Sequence, residues 1–259
     1  MRTLAFAALL TMMAVGTAHA AIVTKTVVYQ QGGTDLEGKV VYDNASMARR
    51  PGVLVFHQWM GPTDYELRRA KMLAELGYVA FVADIFGKGV RPATPKEAGE
   101  TAGKFRADRP LLRARAAAAL AALKAEPLVD PKRVAAIGYC FGGGAALELA
   151  RSGADLAGVV SFHGSLDTPN PADARSIKAR LLVLHGADDP HVGPAAVAAF
   201  KKEMADAKVA YEFIAYPGAV HGFTMKEAGD DPSKGMAYNA AADANSWQKM
   251  KDFLAEIFK

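Results

Sequence analysis

The sequence predicts an α/β fold: one domain on a mostly parallel, doubly wound sheet flanked by helices. Three observations predict it. Short apolar runs recur at residues 53–56, 134–137 and 181–184, as strands do when both faces of a parallel sheet are covered. Helical patterns separate these runs, so strand and helix alternate along the chain. A glycine-rich turn at residues 138–144 follows one run directly and leads into a helical pattern, as a strand-to-helix corner does.

In chain order, residues 22–29 and 36–42 read as an opening pair of strands joined across Gly32-Gly33. Residues 53–56 form the next strand, 65–76 a helix ended by Gly77, and 79–83 a further strand. Residues 85–95 hold several Gly and Pro and read as a surface loop at the carboxyl ends of the strands. Residues 102–125 are helical, with Pro110 as a kink or restart. Asp130-Pro131 leads into the strand at 134–137, and 142–151 continues as a helix. Strands follow at 158–162 and 180–185, a helix at 194–207, a strand at 211–216, and a closing helix within 233–258.

Residues 1–20 stand apart. Arg2 gives a positive start, residues 4–15 are apolar, and Ala18-His19-Ala20 fits a small-x-small cleavage site, so a secretory leader is expected. The apolar stretch falls short of the roughly 20 residues a membrane span needs, and no cysteine follows the cleavage site to carry lipid. Residues 21–259 are then the exported domain, placed in a bacterial periplasm, with no membrane anchor. A net charge of +4 comes from scattered residues such as Lys71, Arg133, Lys178 and Lys249 rather than a basic face, so nucleic acid is not an expected partner. The expected partner is a small-molecule substrate, and the chain is expected to act as a monomer.

The chain has one cysteine, so it carries no intramolecular disulfide, and the thiol is either inert or kept for reactivity. Its surroundings favour reactivity. Gly138-Tyr139-Cys140-Phe141-Gly142-Gly143-Gly144 matches the G-x-nucleophile-x-G elbow of an α/β-hydrolase, with a thiol in place of the usual hydroxyl. Residues without a Cβ let the chain turn sharply there. A thiol with a pKa of about 8.5 is only partly ionised at neutral pH and wants a base. In this fold the order is nucleophile, acid, histidine, which selects His221 in Gly218-Ala219-Val220-His221-Gly222-Phe223.

The acid is expected after the strand at 181–184, where Asp188 and Asp189 compete. The spacing from Gly186, with apolar Val192 three residues on, selects Asp189; Asp188 is the alternative and otherwise faces solvent or caps the turn. The expected oxyanion donors are the backbone N–H groups of Phe141 and Trp59, the second in the loop His57-Gln58-Trp59-Met60-Gly61. His57, His163, His185 and His191 read as structural or pocket-lining. None pairs at i, i+4 and no second cysteine exists, so neither a metal nor a cofactor is expected. Gly142-Gly143-Gly144 lacks the Lys-Ser/Thr of a phosphate-binding loop.

Several of these segments together resemble one family, the dienelactone hydrolases. They are the elbow, the Asp189 loop, the His221 segment, Ala83-Asp84-Ile85-Phe86-Gly87-Lys88, Val55 through Gly61, and Tyr238-Asn239-Ala240 through Trp247. The resemblance implies an α/β-hydrolase fold, a Cys140–His221–Asp189 triad, and hydrolysis of an ester or lactone through an acyl-enzyme. Two departures stand out. Gln58 occupies a position where family members commonly carry a glutamate, and an amide cannot take a proton at neutral pH. Lys88 and Met225 stand where dienelactone-degrading members hold the substrate carboxylate with two arginines. The expected substrates are therefore less anionic small esters or lactones. A thiol sensor or binding protein on the same scaffold, and an acyltransferase, are the alternatives.

Overall fold

The computed structural model describes residues 21–259, so the leader expected over residues 1–20 lies outside the described residues. Among the described residues eight strands form one sheet: β1 (Ile22–Gln31), β2 (Thr34–Asp43), β3 (Arg50–Phe56), β4 (Val79–Ala83), β5 (Val129–Tyr139), β6 (Gly158–Phe162), β7 (Arg180–Gly186) and β8 (Tyr211–Tyr216). Their spatial order is β1-β2-β4-β3-β5-β6-β7-β8. β1 and β2 form an antiparallel hairpin, and β2 joins β4 antiparallel. Every pairing from β4 to β8 is parallel. Gly32 and Gly33, at φ 55° and 78°, make the hairpin turn, whose left-handed backbone suits glycine.

β4 and β6 are buried along their whole length, as their continuous apolar sequences require. Alternate side chains face two helical layers. Leu54, Phe56, Phe81 and Ala136 pack with Leu112 and Leu120 of α3 (Arg109–Ala125). Val53, Val55, Ile137 and Val160 pack with Leu73 of α1 (Asp64–Glu75) and Phe253 of α6 (Ala240–Ile257).

The helical stretch expected at 102–125 is two helices, with Pro110 at the restart rather than at a kink. The first, α2 (Pro95–Ala107), starts inside the segment read as loop, because Thr94 caps it by accepting a hydrogen bond from Glu97 N and Pro95 suits its first turn. Asp108 ends α2 and caps α3, its carboxylate accepting from Leu111 N at 2.9 Å. Pro110 lies in the first turn of α3, where a missing N–H costs nothing. β5 is longer than residues 134–137 because a bulge opposite Pro51 and Gly52 lets Val129 and Asp130 pair as well.

The chain leaves β3 for β4 on one side, then returns past β3 to β5 on the other. β3 and β5 are therefore neighbours at the point where the winding reverses, with Phe56 opposite Gly138. The loops after their carboxyl ends meet there, which is where open α/β sheets place ligands.

Candidate active site

β5 turns into α4 (Phe141–Arg151) at Cys140, which has φ 54° and ψ −118°. A side chain at such an angle is strained, and its neighbours make the strain possible. A Cβ on Gly138 would lie 2.0 Å from the Gly142 carbonyl oxygen, and one on Gly142 would lie 2.4 Å from Phe56 O. The corner therefore needs glycine at both places. Cys140 N donates to Phe162 O at 3.0 Å and to His163 Nδ1 at 3.2 Å, anchoring the corner to the end of β6.

His221, on the loop after β8, brings Nε2 to 3.0 Å from Cys140 Sγ. Its Nδ1 lies 2.8 Å from Asp189 Oδ2, and the other Asp189 oxygen accepts from His191 N at 2.8 Å and Val192 N at 3.2 Å. Asp188 instead accepts from Gly218 N at 2.9 Å and closes a turn on the exposed side. His221 is held from outside by a bridge to Met236, with Ala237 N donating to His221 O at 3.1 Å.

Electrostatics at this cluster favour a charged pair. Burial pushes the Cys140 thiol up, but the His221 charge and hydrogen bond, the Phe141 N–H and the Arg106 guanidinium outweigh it, leaving the thiol below its ordinary value. Burial likewise opposes a charged His221, yet the sulfur and the Asp189 carboxylate raise the imidazole well above its ordinary range. For Asp189, burial is overcome by His221 and the backbone donors, and the carboxyl is held below the usual range. The sulfur also sits at the N-terminal end of α4, where unpaired N–H groups favour negative charge. Chemically, the arrangement can hold a thiolate, move a proton between sulfur and imidazole, and fix the imidazole tautomer through the carboxylate.

Residues 37–258 match the model of the dienelactone hydrolase family. This chain belongs to that family. Two solved structures of similar shape are m3DLH (39% identical, covering 92% of this chain and 100% of that one, TM-score 0.89) and a dienelactone hydrolase-like promiscuous phosphotriesterase, P91, from metagenomic libraries (40% identical, the same coverage, TM-score 0.88). A Synechocystis protein named "Putative carboxymethylenebutenolidase" is 27% identical over 229 residues, 83% of this chain and 89% of that protein.

In this dienelactone hydrolase-family chain a cavity of about 570 Å³ opens on Cys140 and His221. Gln58, Trp59 and Met225 line it. Lys88 does not: it lines a separate hollow with Gln30 and Asp35. Its backbone N–H donates to Asp35 O at 2.8 Å, which ties it to the start of β2, so the placement of Lys88 in the substrate pocket is corrected. The cavity cations are Arg106 and Lys234 instead. Arg106 lies over the Phe141 ring, 5.8 Å from its centroid. Of the two positions behind the expectation of less anionic substrates, Met225 lines the cavity and Lys88 does not.

Neither cation had a motif to reveal it. Arg106 is an ordinary basic residue near the end of α2, and Lys234 is brought in by the strap that carries Met236. Of the remaining histidines, His163 and His191 meet the His221 ring edge-on at 5.3 Å, and His191 also lines the cavity. His185 is buried near Asp189, and His57 is fully buried under the Gln58 loop. No group of three or more metal-ligating side chains comes together among the described residues.

Proposed function

We propose that the protein hydrolyses small esters or lactones with Cys140 as nucleophile, His221 as acid–base and Asp189 as the group that orients His221. The observation that carries this reading is the continuous contact Sγ–Nε2 at 3.0 Å and Nδ1–Oδ2 at 2.8 Å at the floor of the cavity. The Cys140 thiolate attacks the carbonyl carbon, and the tetrahedral oxyanion is held by Trp59 N–H and Phe141 N–H. As the C–O bond breaks, His221 gives its proton to the leaving oxygen, and a thioester remains on Cys140. His221 then takes a proton from water, hydroxide adds to the thioester, and collapse releases the acid and restores the thiolate. Gln58 cannot accept a proton, so the proton of the resting thiol goes to His221.

The names of the relatives support the substrate class: a butenolide-opening name for the Synechocystis protein and a family named for lactone hydrolysis. A second reading, turnover of phosphotriesters, is favoured by the likeness to P91. The leader-like residues 1–20 support a periplasmic site of action. The test is a panel of short-chain aryl esters, five- and six-membered lactones and an aryl phosphotriester, run with wild type and Cys140→Ala. Wild-type turnover of esters or lactones that vanishes in Cys140→Ala is expected. Alkylation of Cys140 with no turnover across the panel supports the thiol-sensor alternative instead.

A further inference from the structure

Residues 57–61, just after β3, contain a buried ring to which the chemistry above gives no task. His57 has no exposed surface and lies between two peptide groups. Its Nδ1 is 2.6 Å from Gln58 O, and its Nε2 is 3.2 Å from Ile85 N. The Ile85 N–H can only donate, so Nε2 accepts and carries no proton. The one ring proton therefore sits on Nδ1 and is donated to the Gln58 carbonyl. Burial keeps the ring neutral, pushing its pKa down to about 4.

That bond fixes a whole peptide plane. The Gln58–Trp59 bond is trans, so its N–H points opposite its C=O. Gln58 O also accepts from Gly61 N at 3.2 Å, and Gln58 N donates to the buried Glu66 carboxylate at 3.1 Å. The two hydrogen bonds to Gln58 O, from His57 Nδ1 and Gly61 N, hold this plane, and the Glu66 contact holds the peptide before it, so that Trp59 N–H faces away from the imidazole. Trp59 shares the cavity with Cys140, and its N–H donates to no protein group among the described residues. The His57 ring also stacks on Phe141, with centroids 5.8 Å apart at 24°. One imidazole thus contacts both segments that carry the proposed oxyanion donors.

We infer that His57 is a positioning residue for hydrolysis, its Nδ1–H holding the Gln58–Trp59 peptide so that Trp59 N–H meets the developing oxyanion. Rotation of this plane would turn a carbonyl oxygen toward the same negative charge. The inference rests on the proposed roles of Cys140 and Trp59 N–H.

Two variants separate the two ring nitrogens. His57→Asn places an amide donor near the position of Nδ1, whereas His57→Gln reaches the Nε2 position, serving Ile85 N–H without the donor to Gln58. With a short-chain aryl ester, His57→Gln is expected to lose about 10- to 10³-fold in kcat with KM nearly unchanged, and His57→Asn to keep kcat within about threefold. Alkylation of Cys140 by iodoacetamide develops no oxyanion, so its rate is expected to stay near wild type in both variants. If His57→Gln does not fold, His57→Met, which also lacks the donor, takes its place. Wild-type kcat in the donor-less variant overturns the inference. So does an equal loss in His57→Asn, or an alkylation rate that falls in step with kcat. Cys140→Ala, run alongside, keeps the failures apart. Turnover without Cys140 overturns the nucleophile reading and this inference with it. An inactive Cys140→Ala beside a fully active His57→Gln overturns the positioning role alone.

Discussion

Replacing Gly138 with alanine tests whether the elbow geometry sets both stability and rate. The added Cβ would lie 2.0 Å from the Gly142 carbonyl oxygen and 2.2 Å from its carbonyl carbon. Ordinary contact begins at 3.4 Å, so the two backbone segments must part by about 1.4 Å. No side-chain rotation relieves a clash between Cβ and main chain. Overpacking typically costs about 1–3 kcal/mol, and a clash relieved only by main-chain movement belongs at the upper end. The retreat moves the first turn of α4 and with it Cys140 Sγ, now 3.0 Å from His221 Nε2. A displacement of about 1 Å at reacting groups can cost roughly 10²-fold in rate.

Gly144→Ala is the control on the same helix. Its Cβ meets Ser165 Cβ and Ser165 O at 3.3 Å, a contact that a shift of tenths of an ångström relieves. Urea unfolding measures the stability of both variants, and aryl-ester turnover measures kcat. Gly138→Ala is expected to lose about 3 kcal/mol and about 10²-fold in kcat, and Gly144→Ala under about 1 kcal/mol. A Gly138→Ala protein as stable and as active as Gly144→Ala would refute the reasoning.

Three further outcomes follow from the same geometry. Asp189→Asn is expected to lower kcat by about 10²–10⁴-fold, because it disturbs the His221 tautomer, whereas Asp188→Asn, whose carboxylate only accepts from Gly218 N, should stay within a few-fold; steady-state kinetics of the pair decides. Arg106→Gln removes a cation that favours the ionised sulfur, so the thiol pKa rises and the acid limb of the Cys140 alkylation rate moves to higher pH; an unmoved limb contradicts the assigned field. Arg151→Met leaves Glu203 without its bidentate partner, at 2.7 Å to each oxygen, and strips Glu148 of one of two arginines; calorimetry should show a loss of about 3–5 kcal/mol with little change in KM.

Much of this was legible in the sequence because the decisive elements carry local signals. Strands β3, β4 and β6 are short apolar runs bounded by turns, and the Cys140 corner announces itself through glycines that only backbone crowding requires. Cys140, Asp189 and His221 each lie at a strand's carboxyl end, so chain order alone brought them to one side of the sheet. Pro110 signals the restart of α3, but the start of α2 at Pro95 and the break at Asp108 are hidden, because a single residue that ends one helix and caps the next leaves no gap in the helical pattern. Lys88 lies away from the cavity, tied by a hydrogen bond to the start of β2, a contact across more than fifty residues. Arg106, Lys234 and His57 gain their places from packing against Phe141, the Met236 strap and the Gln58 peptide. None of those contacts has a spacing that a sequence can display.

The most direct measurement is the intact mass of the protein, quenched in acid within the first turnovers of an activated aryl ester. The account predicts that wild type gains the mass of the acyl group, that the adduct maps to the peptide carrying Cys140, and that it decays as the acid is released. An acyl adduct that persists in Cys140→Ala, or undiminished hydrolysis by that variant, would contradict it.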